Sequence, residues 1–306
     1  MNSYTSRMIS NPAQLCYARR SVLLDGSAAG ERIIECGNGK ISFTLTENRC
    51  LDVLRLDYRG TNIAFLSKNG YTNAPGEFAN RFPGGMIFTC GLDSLSLRPG
   101  HVMHGRIHDL PADCVTVRDG EKIEISGVMT DSALFAQHLE LHRTISTEYN
   151  SSRITVHDKL INRGYKTADY ALLYHINMGY PFLTPDVTIE GDFGEPHPST
   201  DHAAKFVSEY THFAEPEDDS FEQVFFHDER SGKVRIVSPN TALAMTIEYT
   251  HDTLPCLTEW KAPLSGDYAL GIEPATSYMA DRFAYRTIQP GQEIDFEVTL
   301  DFEELK

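Results

Sequence analysis

Apolar and polar residues alternate with a period of two along most of the chain. Ile41, Phe43 and Leu45 fall on one side, with Ser42, Thr44 and Thr46 on the other. Leu54, Leu56 and Tyr58 alternate with Arg55, Asp57 and Arg59 until Gly60 ends the run. Ile154, Val156 and Leu160 oppose Arg153, Thr155, His157 and Lys159, and Leu243, Met245, Ile247 and Tyr249 make another stripe. The clearest alternation is the last. There Ile294, Phe296, Val298, Leu300 and Phe302 interleave with Glu293, Asp295, Glu297, Thr299 and Asp301, after a Pro290-Gly291 turn. Successive side chains of a strand point to opposite faces, so each run predicts a half-buried strand. Between Val115 and Val117 on one side and Ile123 and Ile125 on the other stands Asp119-Gly120, which predicts a β-hairpin with a tight type I′ turn.

No long run has helical spacing, and the strands are not interleaved with helices. That favours an all-β antiparallel sandwich over an α/β fold. No repeat or low-complexity linker divides the chain, so residues 1–306 are expected to form one domain. Residues 1–30 read as a peripheral lead-in with a short helix. Residues 191–220 mix Gly, Pro, His and acids and read as a long surface excursion.

The net charge is −16 and the pI about 5.1, which disfavours nucleic acid as a partner. Six cysteines occur without a CxxC pair or zinc-finger spacing; in a chain this large they read as reduced thiols, pointing to the cytosol. The N-terminus lacks the apolar core of a signal peptide, and no stretch approaches 18 apolar residues, so no membrane partner is expected.

Four segments carry candidate chemistry. Asn80-Arg81-Phe82-Pro83-Gly84-Gly85 offers a close-approach glycine pair and a planar guanidinium for hydroxyls, or merely a tight turn with a surface arginine. His101-Val102-Met103-His104-Gly105-Arg106-Ile107-His108 holds three histidines. Their spacing suits metal ligands on a helix, yet Gly105 and the flanking prolines imply a loop. Neutral imidazoles hydrogen-bonding a polar ligand are the preferred reading, and no metal is expected. In Leu172–Pro181, His175 and Asn177 lie two apart and share a strand face, whether in a site or as satisfied core groups. In Tyr268–Thr276, Glu273 sits in apolar surroundings that would raise its pKa and suit it as a general base, unless it lies at an exposed strand end. Pro274 should end the ladder locally. No Gly-x-Ser-x-Gly and no phosphate loop occurs.

The order of these segments, Asn-Arg, Gly-Gly, His-Gly, a strand with His and Asn, then a late Glu, resembles the aldose 1-epimerase (galactose mutarotase-like) family over residues 40–302. Gly271-Ile272-Glu273-Pro274-Ala275 and Glu259-Trp260-Lys261 look like a divergent branch of it. The resemblance implies a β-supersandwich, a sugar as the small-molecule partner, a monomer or homodimer, and no cofactor. It implies Glu273 as the base at the anomeric hydroxyl, His175 as the acid at the ring oxygen, and His104 as the group positioning that oxygen. Arg81 would bind sugar, and Asn177 would support His175. Two positions depart from the family: Arg106 follows His104-Gly105, which puts a cation near the expected cleft, and Glu222 is the nearest match to a sugar-binding Asp. Trp260 either stacks on a sugar or fills the core. The leading expectation is an isomerase interconverting the anomers of an aldose. A hexose-phosphate enzyme using Arg81, Arg106 and Lys261, or a non-catalytic carbohydrate-binding protein, are the alternatives.

Overall fold

The computed structural model describes residues 7–73, 75–96 and 99–306. Residues 1–6 of the expected lead-in lie outside the described residues. The strands are β1 Tyr17–Val22, β2 Arg32–Gly37, β3 Ile41–Thr46, β4 Val53–Tyr58, β5 Thr61–Asn62, β6 Phe88–Leu92, β7 Asp113–Arg118, β8 Lys122–Ser132, β9 His138–Glu148 and β10 Arg153–Asn162. They continue as β11 Ala168–Met178, β12 Thr188–Gly191, β13 His197–Pro198, β14 Gln223–His227, β15 Lys233–Ser238, β16 Leu243–Tyr249, β17 Cys256–Leu264, β18 Asp267–Ala275, β19 Arg286–Ile288 and β20 Glu293–Glu304. One short helix, α1 (Phe78–Arg81), and a few 3-10 turns complete the secondary structure of the described residues.

Three antiparallel sheets result. The first runs β1-β2-β3-β4-β5. The second runs β12-β15-β16-β20-β10-β9-β8-β7. The third runs β13-β14-β17-β18-β11-β19, with β6 also paired to β11. The all-β expectation holds. The alternating runs are these strands, and their apolar halves meet in one core that draws on all three sheets, including Phe43, Ile125, Leu141, Ile176, Ile272 and Phe296. Within the expected lead-in, β1 forms an edge strand of the first sheet and buries none of its residues fully. The excursion after β12 is anchored. Lys261 Nζ is buried, donates to the carbonyls of Glu209, Tyr210 and His212, and lies near Glu259 Oε1 at 3.8 Å.

One turn is corrected. The β7–β8 hairpin is last paired at Arg118 and Glu124, and only Gly120 of the Asp-Gly pair has a positive φ. A wider loop therefore replaces the type I′ turn. The tight turn occurs instead at Arg59-Gly60, between β4 and β5, where both residues have positive φ (49° and 83°).

Behind the third sheet lies a buried charge network. The Arg143 guanidinium on β9 donates to Asp158 (2.9 and 2.6 Å), Asp52 (2.7 Å), Thr89 (2.9 Å) and the Cys50 carbonyl (2.8 Å). Tyr174 on β11 donates its hydroxyl to Asp158 at 2.7 Å. A buried charge is tolerated only when paired and hydrogen-bonded. The network ties the second sheet to the strand that carries His175.

Candidate active site

Strand alternation builds the site. On β11, Leu172, Tyr174 and Ile176 enter the main core, while Leu173 joins a smaller apolar cluster with Phe88, Cys90 and Ala275. His175 and Asn177 therefore share the face of Leu173. On β18, Leu270 and Ile272 enter the main core, leaving Gly271 and Glu273 on the opposite face. The β11–β18 register runs from Leu173↔Ala275 to Ile176↔Ile272, and it places His175 across from Glu273. Pro274 lacks an N–H, and the ladder to β11 skips this stretch while that to β17 continues through Thr258↔Glu273 and Leu257↔Pro274. The strand thus continues past Pro274, but it opens where the two side chains meet.

His175 Nε2 lies 3.1 Å from Glu273 Oε1, with side-chain exposures of 6% and 1%. Neither Glu273 oxygen has a hydrogen-bond donor, and His175 Nδ1 is also unpartnered. Burial pushes the Glu273 carboxyl well above the ordinary carboxylate range, and the nearby Glu222 charge adds to this. Burial, and then His104, lower His175 to about 3. Both shifts favour the neutral forms, a protonated Glu273 beside an unprotonated His175.

Gly271 makes room for the pair. A Cβ there would stand 2.9 Å from Glu273 Oε1, 3.1 Å from His175 Cε1 and 3.1 Å from Trp260 Cε3. The Trp260 indole meets His175 edge to face with centroids 5.3 Å apart, and Nε1 donates to Glu222 Oε2 at 2.7 Å. On the other side, the His104 and His175 rings are 5.6 Å apart. His104 Nδ1 donates to the Leu95 carbonyl at 3.1 Å, which leaves Nε2 as an acceptor; burial and then His108 hold its pKa at about 4. His104 (φ 60°) and Gly105 (φ 73°) make the turn, and a Cβ on Gly105 would strike the carbonyls of Gly91 and Ser94 at 2.3 and 2.5 Å.

These groups line a cleft of about 500 Å³ walled by Phe65, Phe78, Phe82, Met103, Phe226 and Met279. Of the residues proposed from sequence, the cleft gathers Glu273, His175, His104, Glu222 and Trp260. Asn177 lies beneath it, fully buried, donating to the carbonyls of Gly85 and His175 at 3.0 Å each, and it helps support His175.

Two expectations are corrected. Arg81 grips Asp109 in a fork (3.0 and 2.7 Å) within a neighbouring hollow, on the far side of Phe78 and Phe82. Arg106 pairs with Asp93 and Asp131 in a third, separate depression. Arg81 meets a carboxylate from the 3-10 turn at 107–109, and Arg106 meets one from the segment after β6 and one from β8. The 101–108 histidines also diverge: His101 pairs with Asp93 at 3.2 Å, while His108 packs on Phe88 with centroids 4.7 Å apart. Among the described residues, no group of three His, Cys, Asp or Glu is arranged to hold a metal. Sequence reading missed Gly271 as a packing requirement and the aromatic wall of Phe65, Phe78 and Phe226. No short motif flags those residues, although Phe82 and Met103 lie inside segments already singled out.

The sequence profile of the family described as "Domain of unknown function (DUF4432)" matches residues 28–302. The chain belongs to that family. No curated protein matches this DUF4432 chain. Among solved structures, a candidate aldose 1-epimerase from Klebsiella pneumoniae subsp. pneumoniae superposes with a TM-score of 0.83 at 22% identity, over 94% of this chain and 83% of that one. A galactose mutarotase-like protein from Clostridium acetobutylicum gives 0.67 at 11% identity, over 95% and 100% of the two chains. A galactose mutarotase related enzyme from Lactobacillus acidophilus gives 0.64 at 12% identity, over 88% and 98%. The fold of this DUF4432 chain is therefore the galactose mutarotase-like one.

Proposed function

We propose that this chain is an aldose 1-epimerase-type isomerase that interconverts the α and β anomers of an aldose. The carrying observation is the 3.1 Å contact between His175 and Glu273 at the base of an apolar cleft, with both carboxylate oxygens lacking donors. A buried acid and base in contact hold one proton that either can carry. Burial favours the neutral pair, and one transfer across the contact gives carboxylate and imidazolium. Glu273 then takes the proton of the anomeric hydroxyl as its O1 electrons form C1=O. The C1–O5 bond breaks and its electron pair takes a proton from His175. The new O5 hydroxyl donates to His104 Nε2. Rotation about C1–C2 and the reverse steps on the other face give the opposite anomer. The dyad regains its starting protonation in every cycle, so it needs no external acid or base.

The sugar-phosphate alternative loses its support, since Arg81, Arg106 and Lys261 are all engaged away from the cleft. A purely binding role gives no reason to bury a carboxyl without donors against an imidazole. The test is anomer exchange by NMR over a panel of free aldoses. Wild-type protein should accelerate exchange, and Glu273→Gln should lose about 10²–10⁴-fold. Folded wild-type protein that accelerates no aldose would sink the proposal.

A further inference from the structure

The cleft is chemically two-sided. Near Glu273 stand Glu222 and Trp260, joined by the Trp260 Nε1 donation to Glu222 Oε2, with the indole also meeting His175 edge to face. On the His175 flank stand His104 and then an apolar wall. Phe82 faces His175 with ring centroids 5.8 Å apart, Phe78 faces His104 at 4.9 Å, and Met103 joins them in lining the space. Ser96 also lines the cleft, and its buried hydroxyl has no hydrogen-bond partner among the described residues. Lys68 pairs with Asp267 at 2.7 Å, so among the described residues the cleft presents no unpaired cation.

Pyranose geometry links these flanks to positions on the sugar. If Glu273 serves O1 and His175 serves O5, then C2 and C3 extend toward Glu222. C5 lies beyond O5, and its exocyclic substituent falls among Phe78, Phe82 and Met103. We propose that the substrate is a neutral aldose whose C5 substituent is apolar, a 6-deoxyhexose in chemical class, with Phe78, Phe82 and Met103 as the specificity-determining residues. A hydroxyl on C6 would lose its water against phenyl and thioether groups, which offer it no hydrogen bond. A phosphate or carboxylate at that position would lose far more.

This inference rests on the isomerase reading, and the experiment separates the two. Anomer exchange is measured for a hexose, its 6-deoxy analogue and its 6-phosphate. The 6-deoxy sugar should exceed the parent hexose by roughly tenfold to a hundredfold in kcat/KM, the range open to an apolar pocket judging one hydroxyl. The 6-phosphate should show no acceleration. Met103→Gln, on a loop, should shrink the 6-deoxy preference, and Phe78→Gln gives a second reading of the same ratio. Equal rates for hexose and 6-deoxyhexose, or turnover of the phosphate, would overturn the substrate class while leaving the isomerase intact. Failure on all three sugars counts against both.

Discussion

Gly271→Ala puts the geometry of the dyad to a sharp test. The strand dihedrals are open to any residue here, so the backbone itself gains from losing a glycine, by about 0.5–1 kcal/mol. The side chain sets the sign. Moving Glu273 Oε1 from 2.9 Å to ordinary contact at 3.4 Å requires a displacement of about half an ångström, and His175 and Trp260 need smaller shifts at the same point. Overpacking of this kind costs about 1–3 kcal/mol, so the net loss of stability should be no more than about 2 kcal/mol. Activity should suffer more. A misplacement of about 1 Å can cost 10²-fold, and here both proton-transfer groups move, so kcat/KM should fall by about tenfold to a hundredfold. Polarimetric anomer exchange and urea denaturation on the same preparation measure the two effects. A Gly271→Ala protein with wild-type rate and wild-type stability would refute the claim that this glycine seats the dyad.

Because His175 sits at about 3, kcat/KM should stay level from pH 7 down to pH 5 rather than falling through the ordinary imidazole range; a midpoint near 6.5 in the pH–rate profile would contradict this. Glu273 has a folded pKa above its unfolded one, so its contribution to stability is greatest below the ordinary carboxylate range and is lost as pH rises through the folded value. Glu273→Gln cannot deprotonate, so its melting temperature should gain on wild type as pH rises above the ordinary carboxylate range. Arg143→Met leaves Asp52 and Asp158 buried without their cation and should cost about 3–5 kcal/mol in urea denaturation. Arg81→Ala should leave anomer exchange unchanged, because the guanidinium serves Asp109; a large fall in kcat/KM would return Arg81 to the site.

The strands were legible because half-burial writes itself as alternation, and β20 shows this along its whole length. The His175–Glu273 pair was legible through the order of segments that resembles the aldose 1-epimerase family, since each residue alone also fits a satisfied core histidine or an exposed strand end. The cleft walls were not, because Phe78, Phe226 and Met279 reach it from distant segments, and an aromatic residue reads alike in a wall or a core. Arg81 and Arg106 misled for the opposite reason. A cation beside a glycine turn reads as ligand-ready until its carboxylate is seen, and Asp109 and Asp131 are visible as partners only in three dimensions. Arg143 was equally hidden, since on its own strand it is one polar position among several in an alternating run.

The His175–Glu273 pair and the cleft wall stand on different kinds of segment. His175 and Glu273 stand on central strands, with Tyr174 beside them moored to the Arg143 network. Phe78 and Met103 come from a four-residue helix and a loop, segments that can exchange side chains without disturbing a sheet. Selection, natural or in the laboratory, can therefore change the wall while the strand-borne pair stays in place. If the proposed function holds, a combinatorial library at positions 78 and 103 would be the economical route to a new substrate range, with the paired sheets serving as an inherited chassis.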